Sequence, residues 1–464
     1  METKQRNSLL FQGKVERDDI LPKYTEYTRS RNPFFFEFGL KDLPEEPGLL
    51  FVRGPRQYGK SSWLEQQIKE TIEDFGKGTA FYLNGDDFTS TEDFYESLLE
   101  LENSFSSKAK VKRIFIDEVT SINAWEKVFK RAYDKGHLKN VLIVTTGSNA
   151  RDILRGGEKL PGRKGKLSKN EHIFLPVSYH QFYKTCARDF NFGGDEDGSL
   201  AKQKSIEYYL LCGGSPIGLN EITFDDRIPE FLITMIQDWI IGDIVKNGRQ
   251  RISLKNILNA IYKFGPSPVG YAKLAREAGL ANNSVAAGYI EQLVDLLVVH
   301  PLMQWNWEKK ILEPRKPCKF LFINQFAHIA FHPTNIRFPD DLIELSSSYK
   351  GMLLESLVAQ ELMRRIYMRG EENKTVIGFW KSDKHEIDFV TSRDEFFEVK
   401  LGPVTPMEFQ WFSKSFPGKK LTIICESNFE TQNIRAITLH DFLMEGDCLD
   451  FIREWSEPWN KKLD

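Results

Sequence analysis

The residues best suited to chemistry follow the apolar run 49–52. They are Gly54, Pro55, Arg56, Gln57, Tyr58, Gly59, Lys60, Ser61 and Ser62. This is the pattern G-x-x-x-x-G-K-S after a predicted strand, where a phosphate-binding loop is expected. The two glycines let successive backbone N–H groups point into one concavity, and the following helix adds its positive end. Lys60 would reach the β- and γ-phosphates of ATP, and the Ser61 hydroxyl would hold Mg²⁺.

A second motif consists of two acids, Asp117 and Glu118, after the apolar run 114–116. Ligands of open α/β sheets bind at the carboxyl ends of strands. Asp117 would therefore bind Mg²⁺ through water, and Glu118 would orient or deprotonate the attacking water. A third apolar strand ends near Ser148 and Asn149, either of which would sense the γ-phosphate. An ordinary cap of the strand end is the alternative there.

Composition limits the classes of protein to consider. The 464 residues carry 63 basic and 66 acidic side chains, so net charge gives no indication of nucleic acid. The cysteines are widely spaced without C-x-x-C, which suits a reducing compartment and excludes a zinc ribbon or a disulfide scaffold. The polar N-terminus lacks a signal peptide, and no apolar stretch approaches the length of a membrane span. These features predict a cytoplasmic protein with no membrane partner.

The chain is long enough for two to four domains, and the predicted fold class is α/β. Strands alternate with helices in the P-loop region, as in a parallel sheet. We predict an N-terminal lead-in, a P-loop parallel-sheet ATPase domain, a helical and winged-helix domain, and a C-terminal α/β domain. Their boundaries are 1–47, 48–225, 226–335 and 336–464.

The middle of the chain has the pattern of a winged helix-turn-helix. Two predicted helices are joined by a turn at Gly279, the second starts with Ser284 as its N-cap, and Val298 and Val299 follow. Between 244 and 290 there is one acid, Glu277, against seven bases: Lys246, Arg249, Arg251, Lys255, Lys263, Lys273 and Arg276. Such a patch suits contact with the phosphate backbone, so DNA is the predicted partner. A protein partner is the alternative.

A predicted hairpin near the C-terminal end carries the second candidate site. Alternation places Glu386 and Asp388 on one face of the first strand, and Glu398 and Lys400 on one face of the second. Asp388 and Glu398 could hold Mg²⁺, and Lys400 could activate a metal-bound water against a phosphodiester. Glu355, on a predicted helix, could complete the set of acids. The alternative is a surface hairpin with charged cross-strand pairs.

Several segments resemble those of a prokaryotic AAA-type ATPase family that has a C-terminal domain of uncharacterised function. The loop at 54–61 resembles its G-P-R-Q-x-G-K-[ST] motif, and residues 146–150 resemble its T-G-S-x-A segment. Residues 160–163, 175–179 and 210–216 resemble L-x-G-R, L-P-L-S-F and Y-L-x-x-G-G-x-P. The C-terminal part resembles the PD-(D/E)XK nuclease superfamily, with Glu355, Asp388, Glu398 and Lys400 at the motif positions.

The resemblance implies a P-loop ATPase domain, a winged helix and a restriction-nuclease-like domain in one chain. It nominates Arg163 to act on the γ-phosphate, in cis or from a neighbouring subunit of a homo-oligomer. The segment 151–170 has seven bases and two acids, so a basic loop that contacts DNA is the alternative.

The leading prediction is an enzyme that uses ATP and Mg²⁺ to process DNA, with possible endonuclease activity on branched or end-containing DNA. The first alternative is an ATP-dependent DNA-binding switch or scaffold with an inactive nuclease fold. The second is a nucleotide-regulated signalling ATPase.

Overall fold

The computed structural model describes residues 1–36, 38–40, 42–147, 153, 156–186, 198–372 and 374–445. The chain divides into two compact units, Met1–Leu175 and Pro176–Asp464. This division differs from the predicted ATPase domain, which extends to residue 225. The helices of residues 199–225 pack against helices in 325–368, and they therefore belong to the second unit.

The first unit contains a parallel sheet with helices beside it. Its described helices are α1 (Thr3–Phe11), α2 (Pro22–Thr28), α3 (Lys60–Phe75), α4 (Thr91–Ser104) and α5 (Trp125–Asp134). Its strands are β1 (Gly48–Arg53), β2 (Ala80–Asn84), β3 (Arg113–Asp117), β4 (Leu142–Gly147) and β5 (Glu171–Ile173). They lie in the order β2-β3-β4-β1-β5, all parallel. Since β4 separates β1 from β3, the end of β4 lies between the P-loop and the acidic motif.

Burial on both faces explains why these strands are continuous apolar runs rather than alternating ones. All five positions of β3 are buried. Helix α5 buries Trp125, Val128, Phe129 and Ala132, which recur at helical spacing on one side. The sheet and its helices thus form the core of this unit, and the polar ends of β3 and β4 are buried as well.

The second unit combines helices with a mixed sheet. Its first described helices are α6 (Tyr179–Cys186), α7 (Ser199–Cys212), α8 (Pro216–Asp225), α9 (Glu230–Lys246), α10 (Arg251–Phe264), α11 (Tyr271–Glu277) and α12 (Asn283–Asp295). The later ones are α13 (Gln325–Ala330), α14 (Pro339–Glu344), α15 (Ser347–Met368), α16 (Gln410–Ser415) and α17 (Leu439–Glu445). The strands are β6 (Val299–Asn306), β7 (Ile311–Glu313), β8 (Lys319–Phe322), β9 (Ile377–Lys381), β10 (Glu386–Thr391), β11 (Phe396–Val399), β12 (Leu421–Ile424), β13 (Phe429–Glu430) and β14 (Ile434–Ile437).

The mixed sheet has the order β13-β14-β12-β11-β10-β9-β6-β7, with β8 paired to β6 outside this path. Strands β10 and β11 form the predicted antiparallel hairpin, and β11 runs parallel to β12. Strand β6 pairs with both β8 and β9. Helix α15 packs against β8 and β11, which brings Glu355 to the hairpin.

The two predicted helices on either side of Gly279 are present as α11 and α12. The predicted N-cap of α12 is wrong by two residues. Asn282 caps this helix, because its side chain accepts a hydrogen bond from the Val285 N–H, whereas Ser284 already lies inside the helix. In the part of the chain described here, no helix is both long and apolar enough to cross a membrane.

Candidate functional site

The loop between β1 and α3 has the backbone that a phosphate-binding loop requires. Gly59 has φ 96°, and a Cβ there would lie 2.5 Å from a ring carbon of Phe36. A Cβ on Gly54 would lie 2.8 Å from the Phe174 backbone oxygen. Both positions therefore exclude a side chain. At Gly59 the reasons are the positive φ and the contact with Phe36, and at Gly54 the reason is the contact with Phe174 alone. Lys60 is the first residue of α3, so the loop leads directly into a helix N-terminus.

Lys60 turns back over the loop. Its Nζ donates to the backbone oxygens of Gly54, at 3.0 Å, and Pro55, at 2.6 Å. The side chain is buried, so these two oxygens fix the ammonium beside the concavity. Arg56 and Gln57 are exposed at the rim, whereas the Tyr58 side chain belongs to the core. Tyr58 can thus offer a ligand only its backbone.

Asp117, at the end of β3, lies beside the P-loop serine. Its carboxylate accepts hydrogen bonds from the hydroxyls of Thr146 and Ser61. Burial raises the pKa of Asp117, these hydrogen bonds lower it, and the Glu118 charge raises it further. Hard oxygen ligands of this kind suit Mg²⁺. Ser61 and Asp117 are the residues that would hold the ion, which would neutralise charge on bound phosphates.

Glu118 follows in the left-handed region, with φ 49°. Its N–H donates to Asp117 Oδ1 at 3.2 Å, and a Cβ on Gly85 would lie only 2.1 Å from its backbone oxygen. A non-glycine residue pays about 1–3 kcal/mol for such a conformation, which concentrates at functional sites. The surrounding structure therefore holds the backbone of Glu118 in an unfavourable conformation at the end of β3. Ser148 and Asn149, the predicted γ-phosphate sensors, lie outside the described residues.

Arg163 is not near the P-loop of its own chain. Lys164 O accepts from Leu49 N–H at 3.1 Å, and Gly165 bridges to Gly48, the first residue of β1. The P-loop follows the last residue of β1, about 17 Å away at about 3.3 Å per residue. The Arg163 guanidinium instead pairs with Asp134, with Nε 2.7 Å from Oδ1. The cis alternative for Arg163 therefore has no support in this geometry.

The C-terminal acids converge in the second unit, together with a residue that the sequence reading missed. Lys319, the first residue of β8, has a side chain only 1% exposed. Its Nζ lies 2.7 Å from Glu386 Oε1, 2.8 Å from Asp388 Oδ1 and 3.3 Å from Glu355 Oε2. Three carboxylates from a helix and a strand thus surround one buried ammonium.

The second oxygen of Asp388 and both oxygens of Glu398 also have partners. Asp388 Oδ2 accepts from the Val399 N–H at 2.9 Å, and Glu398 Oε2 accepts from the Asp388 N–H at 3.1 Å. Lys400 Nζ donates to Glu398 Oε1, and its side chain is 43% exposed. Lys400 therefore lies at the surface of the cluster and Lys319 at its centre.

Burial shifts the ionisation of the cluster. It raises the pKa of Glu355 and that of Glu398 to about 8, and the nearby Asp388 charge adds to both shifts. Burial would lower the pKa of Lys319, but Asp388, Glu355 and Glu386 outweigh it, so this pKa lies well above its ordinary value. The cluster therefore retains protons and a cation rather than several bare carboxylates.

The predicted metal ligands Asp388 and Glu398 do not fit a divalent cation in this arrangement. Among the residues that the structure describes, no group of three or more His, Cys, Asp or Glu side chains is placed to hold a metal ion. The reason is local, because the Lys319 ammonium stands between the acids that would converge on the ion.

Two family models match separate parts of the chain. Residues 46–183 match the sequence family described as an AAA domain, which spans the P-loop and both acids at the end of β3. Residues 350–442 match a domain of unknown function, DUF4143. The two matches agree with the resemblance to an ATPase family with an uncharacterised C-terminal domain, and neither describes a nuclease.

Relatives of this chain include an uncharacterized protein, MJ1544, of Methanocaldococcus jannaschii. It is 23% identical over 403 residues, which cover 83% of this chain and 81% of that protein. The chain is thus similar over most of its length to an uncharacterized protein.

Two solved structures match this chain at low similarity. The Walker-type ATPase PABY2304 of Pyrococcus abyssi is 14% identical with TM-score 0.37, covering 68% of this chain and 95% of its own. The Aeropyrum pernix ORC1 protein in complex with DNA is 14% identical with TM-score 0.30, covering 62% and 87%. Global superposition is poor at these scores, so the ATPase assignment rests on the matched AAA domain and the P-loop geometry.

Three residues at these sites had no clear signal in the sequence. Thr146 donates a hydrogen bond to Asp117, but in the sequence it looks like an ordinary strand residue. Its proximity to Asp117 follows from the position of β4 beside β3 in the sheet. Phe36, against Gly59, reads as part of an aromatic packing cluster. Lys319 precedes the apolar residues 320–322 and looks like a strand-end lysine.

Proposed function

We propose that the protein is a Mg²⁺-dependent ATPase that binds DNA through its second unit and changes its affinity for DNA with the bound nucleotide. The observation that carries the ATPase part is the convergence of Lys60, Ser61 and Asp117 at the ends of β1 and β3. Lys60 binds the β- and γ-phosphates, Ser61 and Asp117 hold Mg²⁺, and Glu118 orients the attacking water.

The DNA-binding part rests on the basic surface of the helical segment. Lys246, Arg251, Lys255, Lys273 and Arg276 are exposed on α9, α10 and α11. Lys263 is exposed but pairs with Glu277 at 2.5 Å, and Arg249 lies over the Tyr289 ring. Helix α12 has no basic residue, so phosphate contacts come from the helices before it.

The elements after α12 support a winged-helix arrangement. Three helices are followed by the antiparallel pair β6 and β8, and Val269, before α11, bridges to Cys318, before β8. This is the order of helices and strands expected for a winged helix. The polar N-terminus of α12, with Asn282 and Asn283, is the part that would approach base edges.

The test of DNA binding uses two residues of one helix. Arg251→Ala combined with Lys255→Ala removes two exposed charges of α10, and each lost phosphate contact should lower the salt slope by about 1. Fluorescence anisotropy with labelled duplex, single-stranded, flapped and four-way-junction DNA, with and without ATP and Mg²⁺, measures it. The matched control is Lys108→Ala with Lys110→Ala, which removes two charges from the first unit. Equal effects of both pairs would refute the proposed surface.

DNA cleavage is the second candidate function, and it would require a metal ion to displace Lys319 from the acids. It is favoured by one observation, the approach of Glu355, Asp388, Glu398 and Lys400 to one another. The same DNA panel, incubated with Mg²⁺ or Mn²⁺, tests it against Lys400→Ala. Cutting that disappears in the variant would establish a nuclease. Binding without cutting would leave the ATP-dependent DNA-binding protein.

Arg163 has a role only across an interface in this proposal. It acts on the γ-phosphate bound to a neighbouring subunit of a homo-oligomer, because its own P-loop lies at the opposite end of β1. Arg163→Ala subunits mixed with Lys60→Ala subunits should regain turnover, since one interface then combines an intact Lys60 with an intact Arg163. Mixed subunits that stay inactive, while each associates normally, would remove Arg163 from this role.

A further inference from the structure

Lys319 lies where the sequence predicts a metal ion. Its Nζ is within 3.3 Å of three carboxylates, those of Glu386, Asp388 and Glu355. An ammonium has three N–H donors, so its hydrogen-bonding capacity matches the number of acids around it. We propose that Lys319 takes the place of a divalent cation, and that the C-terminal cluster is a metal-free ammonium–carboxylate centre in the native protein. This inference does not depend on the ATPase or on DNA binding.

The position of Lys319 is fixed by the backbone on which it lies. It opens β8 and pairs with Leu302 of β6, so its stem starts inside a paired strand. The side chain is almost fully buried, and its Nζ lies 5.7 Å from the ring centroid of Phe379. The ammonium cannot leave the acids without unpairing this strand or entering apolar surroundings.

Electrostatics prevents a metal ion from joining the lysine. A divalent cation among Glu355, Asp388 and Glu386 would stand within a few ångströms of a buried positive charge, where water screens poorly. Binding would require displacement of Lys319, which would leave a buried ammonium without partners. The lysine and the ion are therefore alternatives for the same acids.

Three further carboxylate oxygens of the cluster already accept from protein donors. The Val399 N–H takes one oxygen of Asp388, and the Asp388 N–H and Lys400 take both oxygens of Glu398. A metal ion would compete with these bonds for lone pairs. The centre consequently joins β8, α15, β10 and β11 through ion pairs and hydrogen bonds, which suits a structural role.

The test measures Mn²⁺ binding to the full chain without nucleotide, by the electron paramagnetic resonance signal of free Mn²⁺. Wild type and Asp388→Asn should bind Mn²⁺ equally, because any shared binding comes from outside the cluster. Lys319→Met should gain a stoichiometric Mn²⁺ site, since it removes the internal cation. Lys319→Met combined with Asp388→Asn should lose that site again. Lys316→Met, an exposed lysine just before β8, is the matched control and should behave as wild type.

Two results would overturn the proposal. One is Mn²⁺ binding by wild type that Asp388→Asn weakens, because the acids would then hold a metal beside or instead of Lys319. The other is a folded Lys319→Met protein without an added site, because the acids would then have no affinity for a cation. Anomalous diffraction from wild-type crystals soaked in Mn²⁺ needs no variant, and a peak among these acids would also refute the inference.

Discussion

Both candidate sites combine lysines with carboxylates, yet they use them differently. In the P-loop site Lys60 hydrogen-bonds backbone oxygens, and the acids Asp117 and Glu118 stand on another strand. In the C-terminal site Lys319 contacts three carboxylates directly. The charge of Lys60 has no carboxylate among these two partners, whereas the charge of Lys319 is balanced by acids of the same unit.

The difference teaches that residue types alone do not distinguish a ligand site from a closed centre. A P-loop needs a ligand charge because its donors are backbone N–H groups and a helix end. A buried ion pair needs none, because each charge has its partner in the chain. The predictions below probe this contrast, in order of decreasing effect.

Removal of Lys60 should have the largest effect. Lys60→Ala should lower ATP turnover to the background level, because the side chain that holds the β- and γ-phosphates is lost. Release of phosphate from ATP with Mg²⁺ measures it. Lys77→Ala, an exposed residue just after α3, is the control and should keep wild-type turnover. Normal turnover in Lys60→Ala would refute the P-loop assignment.

Glu118→Gln should separate binding from hydrolysis. The amide keeps the shape of the side chain but cannot accept a proton, so turnover should fall by about 10²–10⁴-fold. Affinity for a fluorescent ATP analogue should stay near the wild-type value, because the phosphate contacts are intact. Unchanged turnover would remove Glu118 from the role of orienting or deprotonating water, while leaving the P-loop assignment standing.

Lys319→Met should destabilise the second unit, whereas Lys60→Ala should leave it unchanged. Removal of one member of a buried charge cluster costs about 3–5 kcal/mol in the free energy of unfolding. Urea unfolding followed by tryptophan fluorescence measures this cost. Lys316→Met should change stability by no more than about 0.5 kcal/mol. A similar small effect of Lys319→Met would mean that its carboxylate contacts are not formed in solution.

The pH dependence of stability should show the smallest effect. Burial raises the pKa of Glu355 and Glu398 from 4.5 to about 8, so both hold protons more firmly in the folded state. Their contribution to stability is complete below pH 4.5 and is lost as pH rises through about 8. The free energy of unfolding of Glu355→Gln should therefore fall less than that of wild type as the pH rises from 4.5 through about 8.

This prediction is checked by urea unfolding of wild type and Glu355→Gln over that range of pH. Glu96→Gln, which changes an exposed glutamate of α4, is the control for the loss of one carboxyl. Parallel pH profiles for wild type and Glu355→Gln would contradict the raised pKa of Glu355.

Much of the ATPase site could be predicted from sequence because its determinants are local. The spacing of Gly54, Gly59 and Lys60 fixes a loop and a helix start within a few residues. The end of β3 supplies Asp117 and Glu118 without knowledge of other strands. The hydrogen bond from Thr146 to Asp117 could not be predicted from the sequence, because it depends on β4 lying between β1 and β3.

The C-terminal site shows where sequence reasoning stops. Alternation along β10 and β11 predicts the shared faces of the acids, and helical periodicity brings Glu355 to the same region. Lys319 is 36 and 69 residues away from Glu355 and Asp388, and only the pairing of β8 with β6 brings it there. A local pattern of acids therefore predicts a metal site, and a distant strand changes that interpretation.

Strand β6 has a consequence for which changes of length the protein can tolerate. It pairs with β8 on one side and with β9 on the other, so it sets the register of both. One residue inserted into the exposed turn 314–317, between β7 and β8, would lengthen a surface turn at little cost. The same residue inserted within β8 would turn the remaining strand over, because neighbouring side chains point to opposite faces. We therefore expect relatives of this chain to differ in length in the exposed turn before β8 and not within the buried strand β8.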